Sequence, residues 1–173
     1  MRILDRLRTE VRELRSPRRT VDAPTYERPA PRPSAFRSYG EGSWLVPPCQ
    51  VDGAARIDVG AGVVVLEHAE ITVAPGAALR IGARVRLGRF AVVDCRRSVD
   101  IGDDVSGSDC VGITDDLGPV VVEDGAYLGA NCAVVGPVRV GAGAYVGEGA
   151  VVVDDVPAHA VVFGNPARVV RTA

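Results

Sequence analysis

The chain has 173 residues, of which 47% are hydrophobic but only 5% aromatic, and its formal net charge is −2. This length allows one domain with a sizeable core, and the slightly acidic balance gives no overall support to nucleic-acid binding. No apolar run reaches the roughly 18 residues of a transmembrane helix. The four cysteines are far apart, so we expect reduced thiols in a cytoplasmic protein.

Residues 1–19 are predicted to form a basic amphipathic helix. Ile3, Leu7, Val11 and Leu14 recur at helical spacing, and seven Arg against three acidic residues give the segment a charge of +4. Such a helix suits peripheral contact with an anionic membrane, or packing against the body of the protein or against sister helices. It lacks the apolar stretch of a signal peptide. Residues 20–50 are rich in Pro and Arg and predict an extended strap or linker.

A six-residue repeat occupies residues 51–157, and the remaining residues, 158–173, are predicted to form a C-terminal cap. The repeat is marked by Val59, Val65, Ile71, Ile81, Leu87, Val93, Ile101, Gly107, Ile113, Val122, Leu128, Val134, Val140, Val146 and Val152. Fourteen of these fifteen residues are aliphatic, Gly107 being the exception. Gly often follows the aliphatic residue, and a small residue often comes four places later. A spacing of six does not keep to one face of an α-helix, so we expect short strands separated by turns.

Three hexads predict one triangular coil of a solenoid. The starts at Ile81, Ile101, Val122 and Val140 are 20, 21 and 18 residues apart, close to three hexads in each case. Coils of this kind stack about 4.8 Å apart through backbone hydrogen bonds. Hexapeptide repeats are a recognised signature of parallel β-helices.

Several stretches resemble a known family. IGARVRLGRF, IGDDVSGSD, YLGANCAVVGPVRVGAGAYVGEGAVVVDDVP and the ending VVFGNPARVVR are similar to the hexapeptide-repeat acyltransferases, in particular to the sugar and antibiotic O-acetyltransferase branch. The resemblance covers about residues 36–171. It implies an all-β fold, a single-stranded left-handed parallel β-helix, assembled as a homotrimer. The left hand follows from the resemblance alone.

The resemblance also implies a function and a donor site. It implies transfer of an acetyl group from acetyl-CoA, or of another acyl group from its CoA ester, to a sugar or glycan hydroxyl in grooves between subunits, as in polysaccharide biosynthesis. The residues that match the CoA side are Gly129, Ala130, Gly147, Ala150, Asn165, Arg168 and Arg171. The small residues would let pantetheine approach the backbone, and Arg suits phosphate. Packing of a narrow coil and a solvated C-terminal strand explain the same residues equally well.

The family's general base is a histidine on a loop, and here the corresponding stretch is ITDDLGPVV, residues 113–121. It contains no histidine, so Asp115 and Asp116 are the only substitutes within it for a catalytic role. A carboxylate is a weak base for a hydroxyl unless burial or like charge raises its pKa. The alternatives are that the two aspartates end a turn in water, or that they bind a metal together with Asp109. We expect no metal cofactor.

The chain has two histidines, His68 and His159, and neither matches the family's base. We expect both to be surface or cap residues. The three-histidine zinc site of the related β-helix carbonic anhydrases is excluded by this count. Two functions therefore stay open: a CoA-dependent O-acyltransferase, or a non-catalytic scaffold or partner subunit of an acyltransferase assembly.

Overall fold

A computed structural model describes residues 33–172, so the predicted helix over 1–19 and the first part of the predicted strap lie outside the described residues. Two 3-10 helices, Pro33–Ala35 and Ala54–Arg56, are the only helices of the described part. Neither is long and apolar enough to cross a membrane.

All other regular structure is β-strand. The strands are β1 (Ser38–Tyr39), β2 (Trp44–Leu45), β3 (Gln50–Asp52), β4 (Ile57–Val59), β5 (Val64–Val65), β6 (Glu70–Val73), β7 (Ala78–Ile81), β8 (Arg86–Leu87), β9 (Val92–Cys95), β10 (Ser98–Ile101), β11 (Ser106–Gly107), β12 (Gly112–Thr114), β13 (Val120–Val122), β14 (Tyr127–Leu128), β15 (Ala133–Val135), β16 (Val138–Val140), β17 (Tyr145–Val146), β18 (Val151–Val152), β19 (Val161–Phe163) and β20 (Arg168–Arg171).

The strands form three sheets that are the faces of a prism. Sheet A contains β1, β4, β7, β10, β13 and β16; sheet B contains β2, β5, β8, β11, β14, β17, β19 and β20; sheet C contains β3, β6, β9, β12, β15 and β18. Consecutive strands pass from one sheet to the next, and every pairing is parallel except that of β19 with β20. Strands β1 to β18 thus make six coils of three strands each, and β19 and β20 extend sheet B beyond them. The predicted all-β, hexapeptide-repeat parallel β-helix is confirmed.

The pairing register explains the spacing of the repeat. Ile101 pairs with Ile81 on one side and with Val122 on the other, and Val122 pairs in turn with Val140. One coil is therefore 20, 21 or 18 residues, as the sequence predicts. Like residues stack on like residues, which is why the aliphatic pattern is so regular.

The core is a stack of small aliphatic layers inside the prism. All fourteen aliphatic repeat residues are buried, with exposed fractions of 0–4%. Gly107 lies in the same column, between Leu87 and Leu128. A Cβ on Gly107 would lie 3.2 Å from Leu87 Cδ2, so the side chain of Leu87 fills the space that a larger residue would occupy.

The first coil begins earlier than predicted. Residues 38–52 form β1, β2 and β3, which pair with the second coil, so the described end of the predicted strap belongs to the solenoid. Tyr39, Leu45 and Val51 continue the six-residue spacing there and pack partly buried against the core. The repeat is difficult to recognise in this coil because Tyr39 is aromatic and the turn is rich in Pro, whereas the residues that mark the repeat in later coils are aliphatic.

Turns between the sheets form three corners that run the length of the prism. We call them corner AB, corner BC and corner CA, after the sheets that they join. Within the described chain, the non-glycine residues with left-handed φ all lie at corners AB and BC, among them Asp104 (57°) and Asn131 (58°). Corner CA has turns of varying length, the longest being residues 115–119.

Candidate functional site

The stretch ITDDLGPVV forms corner CA between the fourth and fifth coils. Side chains alternate along β12, so Ile113 and Asp115 both point inward while Asp116 points out. Asp115 continues the inward column of Val73 and Cys95, and its exposed fraction is 0%. A carboxylate thus occupies a position that an apolar residue fills in the two preceding coils.

The carboxylate of Asp115 accepts hydrogen bonds from the turn of the preceding coil. Its Oδ1 accepts from the N–H of Arg96 at 2.6 Å, and its Oδ2 accepts from the N–H groups of Arg97 at 2.7 Å and Ser98 at 2.6 Å. The Cys95 Sγ lies 3.9 Å from Oδ2. Burial, and then the negative charge of Asp115, raises the pKa of the Cys95 thiol to about 11. Asp115 therefore anchors one coil to the next.

Asp116 lies in a different environment. It is exposed, and its Oδ1 is 2.8 Å from Nε of Arg96, which also pairs with Asp94 at 3.1 Å. Exposed ion pairs of this kind contribute little to stability, about 0–1 kcal/mol. Of the two aspartates, Asp116 alone reaches solvent.

The geometry favours an anchoring role for Asp115 over the role of a base, since both of its oxygens are occupied and no part of it meets solvent. The catalytic assignment of Asp115 and Asp116 stays a prediction. The two-residue alternation of a strand, counted from Ile113, is a sequence signal for the inward position of Asp115. Asp109 accepts the N–H of Arg89 at 2.8 Å, and the described residues contain no group of three or more side chains able to hold a metal.

The small residues predicted for the CoA side meet at corner BC of the fifth and sixth coils. A Cβ on Gly129 would lie 2.7 Å from the backbone N of Glu148, and one on Gly147 would overlap the ring of Phe163. Close packing of successive coils thus requires Gly129, whereas Gly147 leaves room for the ring of Phe163. Ala150 is fully buried and contributes its methyl group to the core.

Corner BC also presents unused hydrogen-bond donors. Within the described chain, the N–H groups of Ala130 and Glu148 donate to no other group. At corner AB of the sixth coil, by contrast, Glu123 accepts the N–H of Ala142 at 2.9 Å. Ala130 and Glu148 hold equivalent positions in successive coils, so their donors are about 4.8 Å apart along the prism. Ala130 is half-buried and Glu148 is exposed. A pattern of side chains in the sequence does not reveal that these two N–H groups are unused.

An aromatic surface borders these donors on the outer face of sheet B. The rings of Tyr127 and Tyr145 stack with centroids 4.7 Å apart, and Phe163 follows at 6.0 Å from Tyr145. The Tyr145 hydroxyl donates to Glu148 Oε1 at 3.0 Å, and the Tyr127 hydroxyl lies 2.8 Å from that of Ser108. Burial, and then Glu148, raises the pKa of Tyr145. The phenol of Tyr145 is therefore protonated near neutral pH, and the stacked rings present a partly apolar surface.

The C-terminal residues predicted for the cofactor lie at the end of the same face. Arg168 and Arg171 belong to β20, which closes sheet B by pairing with β19, and Arg168 is opposite Phe163. Arg168 Nη1 is 3.2 Å from Asp154 Oδ2, and Asn165 is exposed in the turn before β20. The structure thus brings Arg168 beside Phe163 at corner BC, whereas Arg171 pairs with Val161 at the other end of β19.

Neither histidine lies at corner CA, the corner that contains the 115–119 loop. His68 lies at corner BC, where its ring stacks on Phe90 with centroids 4.9 Å apart and planes 6° from parallel. His159 lies at corner AB over Gly143, where a Cβ would be 2.6 Å from His159 Nδ1. Both are exposed, as the sequence predicts.

Comparisons with known proteins agree with this fold. Residues 119–154 match the family described as bacterial transferase hexapeptide (six repeats). A 2,3,4,5-tetrahydropyridine-2,6-dicarboxylate N-acetyltransferase from Halalkalibacterium halodurans is 58% identical over 53 residues, which are 31% of this chain and 22% of that protein. The chain therefore matches less than a quarter of the length of that relative.

Two solved structures are similar over most of the described chain. AntD, an N-acyltransferase from Bacillus cereus, in complex with dTDP and 3-hydroxybutyryl-CoA, is 14% identical with a TM-score of 0.73, over 80% of this chain and 84% of that one. The acetyltransferase domain of PglB from Neisseria gonorrhoeae is 23% identical with a TM-score of 0.64, over 74% of this chain and 57% of that one. At these identities the likeness shows the fold, which is that of hexapeptide-repeat acyltransferases.

Proposed function

We propose that this hexapeptide-repeat β-helix transfers an acyl group from a CoA thioester, most simply acetyl-CoA, at grooves between the copies of a homotrimer. The observation that carries the proposal is the pair of unused donors at corner BC, on Ala130 and Glu148, above tightly packed glycines. The proposal is also supported by the similarity of the chain to an N-acetyltransferase and to the N-acyltransferase AntD.

The acyl donor, a CoA thioester, would lie along corner BC. Fixed N–H groups stabilise the negative charge that develops on a thioester oxygen, because they need no reorganisation as the reaction proceeds. The N–H groups of Ala130 and Glu148 are the groups assigned to this role. Arg168 and Arg171, at the end of the same face, would bind CoA phosphates through charge-assisted hydrogen bonds.

The acceptor is proposed to be an amine. A hydroxyl must lose its proton as it attacks, which requires a general base. The 115–119 loop has no histidine, and Asp115 is buried with both oxygens occupied. A neutral amine attacks the carbonyl carbon without a base: the C–N bond forms, the C–S bond breaks, and the proton released from nitrogen goes through water to the CoA thiolate.

The sugar or glycan hydroxyl predicted from the resemblance is the competing acceptor. Exposed Asp116, paired with Arg96, would be the residue of this loop to assist it. The sequence-based expectations of a cytoplasmic location, of polysaccharide biosynthesis and of membrane contact through residues 1–19 are part of the same proposal.

The assay measures CoA release from acetyl-CoA with matched pairs of acceptors, an amino sugar and the corresponding hydroxyl sugar. We expect turnover with the amine and at least about 100-fold less with the hydroxyl, the scale of a general-base contribution. Equal or faster turnover of the hydroxyl sugar would overturn the amine assignment.

A substitution at Ala130 tests whether an N–H group of corner BC takes part in the reaction. Ala130→Pro removes one N–H that makes no internal hydrogen bond, and Ala130→Gly is the control that keeps it. Loss of one such donor is expected to lower kcat by roughly 100-fold. Equal rates in the two variants, both folded, would exclude this N–H from the reaction.

A non-catalytic partner subunit is the second candidate. It is favoured by the commitment of Asp115 to the turn at Arg96 and Ser98. Calorimetric binding of acetyl-CoA without transfer to either class of acceptor would support this function over the first.

A further inference from the structure

The hydrophobic core is closed at the C-terminal end of the prism and open at the N-terminal end. The inward residues of the sixth coil are at most 1% exposed: Val140, Val146 and Val152. They are covered because β19 pairs with β17 and Val156 forms a bridge with Val140. The inward residues of the first coil are only partly buried: Tyr39, Leu45 and Val51. Their counterparts in the second coil are buried, so the exposure belongs to the free end.

The backbone of the first coil is also unpaired on one side. Strands β1, β2 and β3 are each the terminal strand of a sheet and pair with the second coil alone. Phe36, which precedes β1, packs on Tyr39 with ring centroids 5.0 Å apart and is itself only partly buried. The terminal repeat of a solenoid needs a cap, because it otherwise leaves apolar surface and free strand edges at the end. The N-terminal end therefore needs a cover that residues 33–172 do not supply.

Carboxylates without partners lie near this open end. Glu41 and Asp52 belong to the first coil, and Glu70 lies on β6 opposite Gln50 of β3. All three are exposed, and within residues 33–172 their carboxylates have no hydrogen bond or ion pair. Every other acidic side chain of those residues accepts a hydrogen bond or forms an ion pair. The first coil is thus a locally acidic surface beside exposed apolar residues.

The segment that precedes the described chain has matching properties. The described chain begins with the 3-10 helix Pro33–Ala35, which leads into β1, so the preceding residues start from the open end. Residues 1–19 have a charge of +4, and their apolar residues recur on one face of the predicted helix. A helix over residues 2–15 is about 21 Å long, and six residues of strand span about 20 Å, so the helix is long enough to cross one coil.

The apolar surface at the other end of the prism does not suit this segment. Val169 and Val170 of β20 are 46% and 61% exposed. Arg168 and Arg171 flank them on the same strand, so this surface is basic and disfavours a segment with a charge of +4. Successive strands of sheet B from β2 to β20 are about 4.8 Å apart, which places β20 about 34 Å from the first coil.

We propose that residues 1–19 cap the N-terminal end of the prism as a helix. The apolar face of the helix covers the inward residues of the first coil, and arginines at its edges pair with Glu41, Asp52 and Glu70. The cap does not depend on the proposed acyl transfer. The membrane contact included in the proposed function would then use arginines on the outer side of the cap, since the apolar face is occupied.

The test measures how fast iodoacetamide modifies Cys49 in the full chain, with mass spectrometry of the peptides as the readout. Cys49 packs partly buried against the core in the first coil, so a cap over this coil slows the reaction. Exposed Cys110 is the internal reference. Leu7→Asp places a charge on the apolar face of the helix. Thr9→Asp is the matched control, because it places the same charge about 200° around the helix.

We expect Leu7→Asp to speed the modification of Cys49 roughly 10–100-fold, the factor by which loss of one buried leucine shifts a docking equilibrium. Thr9→Asp should leave the rate unchanged. A second variant combines Glu41→Gln, Asp52→Asn and Glu70→Gln, which removes the three carboxylates. It should speed the reaction at least about 3-fold at low ionic strength and less at high ionic strength, because exposed ion pairs are screened by salt.

Equal Cys49 rates in the wild type and Leu7→Asp, or equal acceleration by Leu7→Asp and Thr9→Asp, would overturn the cap, with the rate at Cys110 unchanged. Protection of Cys49 that is lost on dilution would overturn it as well, because another copy then supplies the cover. If Leu7→Asp abolished cosedimentation with phosphatidylserine vesicles without speeding the reaction at Cys49, the apolar face would belong to a membrane instead. An unchanged rate in the carboxylate variant would reject the assigned ion pairs.

Discussion

Replacement of Asp115 tests whether this carboxylate is an anchor. In Asp115→Ala the N–H groups of Arg96, Arg97 and Ser98 lose their acceptor inside a corner that solvent reaches only in part. An unsatisfied N–H costs about 1–3 kcal/mol when buried, and three partly buried groups at the lower end of that range give about 3–4 kcal/mol. Asp115→Asn keeps one acceptor oxygen and is expected to lose about 2 kcal/mol.

The measurement is denaturant unfolding at one fixed protomer concentration, since association contributes to stability. The midpoint should fall with the slope unchanged, and the melting temperature should drop by roughly 6–15 °C for Asp115→Ala. Asp116→Ala is the matched control: it removes an exposed ion pair and is expected to change the free energy of unfolding by less than about 1 kcal/mol.

A loss for Asp115→Ala no larger than that for Asp116→Ala would refute the anchoring argument. It would mean that the turn finds other acceptors, or that water satisfies its N–H groups. If Asp115→Ala instead stayed fully stable and lost all acyl transfer, the catalytic assignment of this residue would be upheld.

Three further predictions follow from local geometry. Gly147→Ala places a Cβ on the ring of Phe163 and is expected to destabilise the fold by about 1–3 kcal/mol, and Phe163→Ala in the same chain recovers part of this loss in a double-mutant cycle of unfolding. Burial raises the pKa of Cys95 to about 11 from 9.0, so its protonated thiol contributes stability that is complete below pH 9 and is lost as pH rises towards 11. At pH 8 a disulfide reagent should therefore modify exposed Cys110 in the folded protein and leave Cys95 unmodified, and rapid reaction of both thiols would contradict this. Arg168→Ala should weaken acetyl-CoA binding roughly 5–30-fold in calorimetry with unfolding unchanged, whereas equal affinity would remove Arg168 from the phosphate site.

The solenoid could be read from the sequence because its rules are local. An aliphatic residue every six positions, with a small residue at the bend, is needed in each coil whatever the other coils contain. The aliphatic pattern alone marks the start of the solenoid one coil too late, because Tyr39 stands where later coils have an aliphatic residue.

The candidate site was less accessible from the sequence. The six-residue spacing places the loop without a histidine directly after Ile113, and the resemblance assigns Asp115 and Asp116 the same candidate role. The structure separates them: one side chain enters the corner and the other points to solvent. The unused N–H groups of Ala130 and Glu148 have no sequence signature.

The sequence by itself thus determined the repeat, the three-sided coil and the stacking of like residues, since backbone geometry and side-chain size act within a single hexad. The tertiary structure alone decided which turn amides are satisfied and which remain free. A carboxylate such as Glu123 reaches an amide 19 residues later, on the next coil, and no such carboxylate reaches Ala130 within the described chain. The same stacking brings the ring of His68 onto that of Phe90, because residues about 20 positions apart become neighbours only when the coils close.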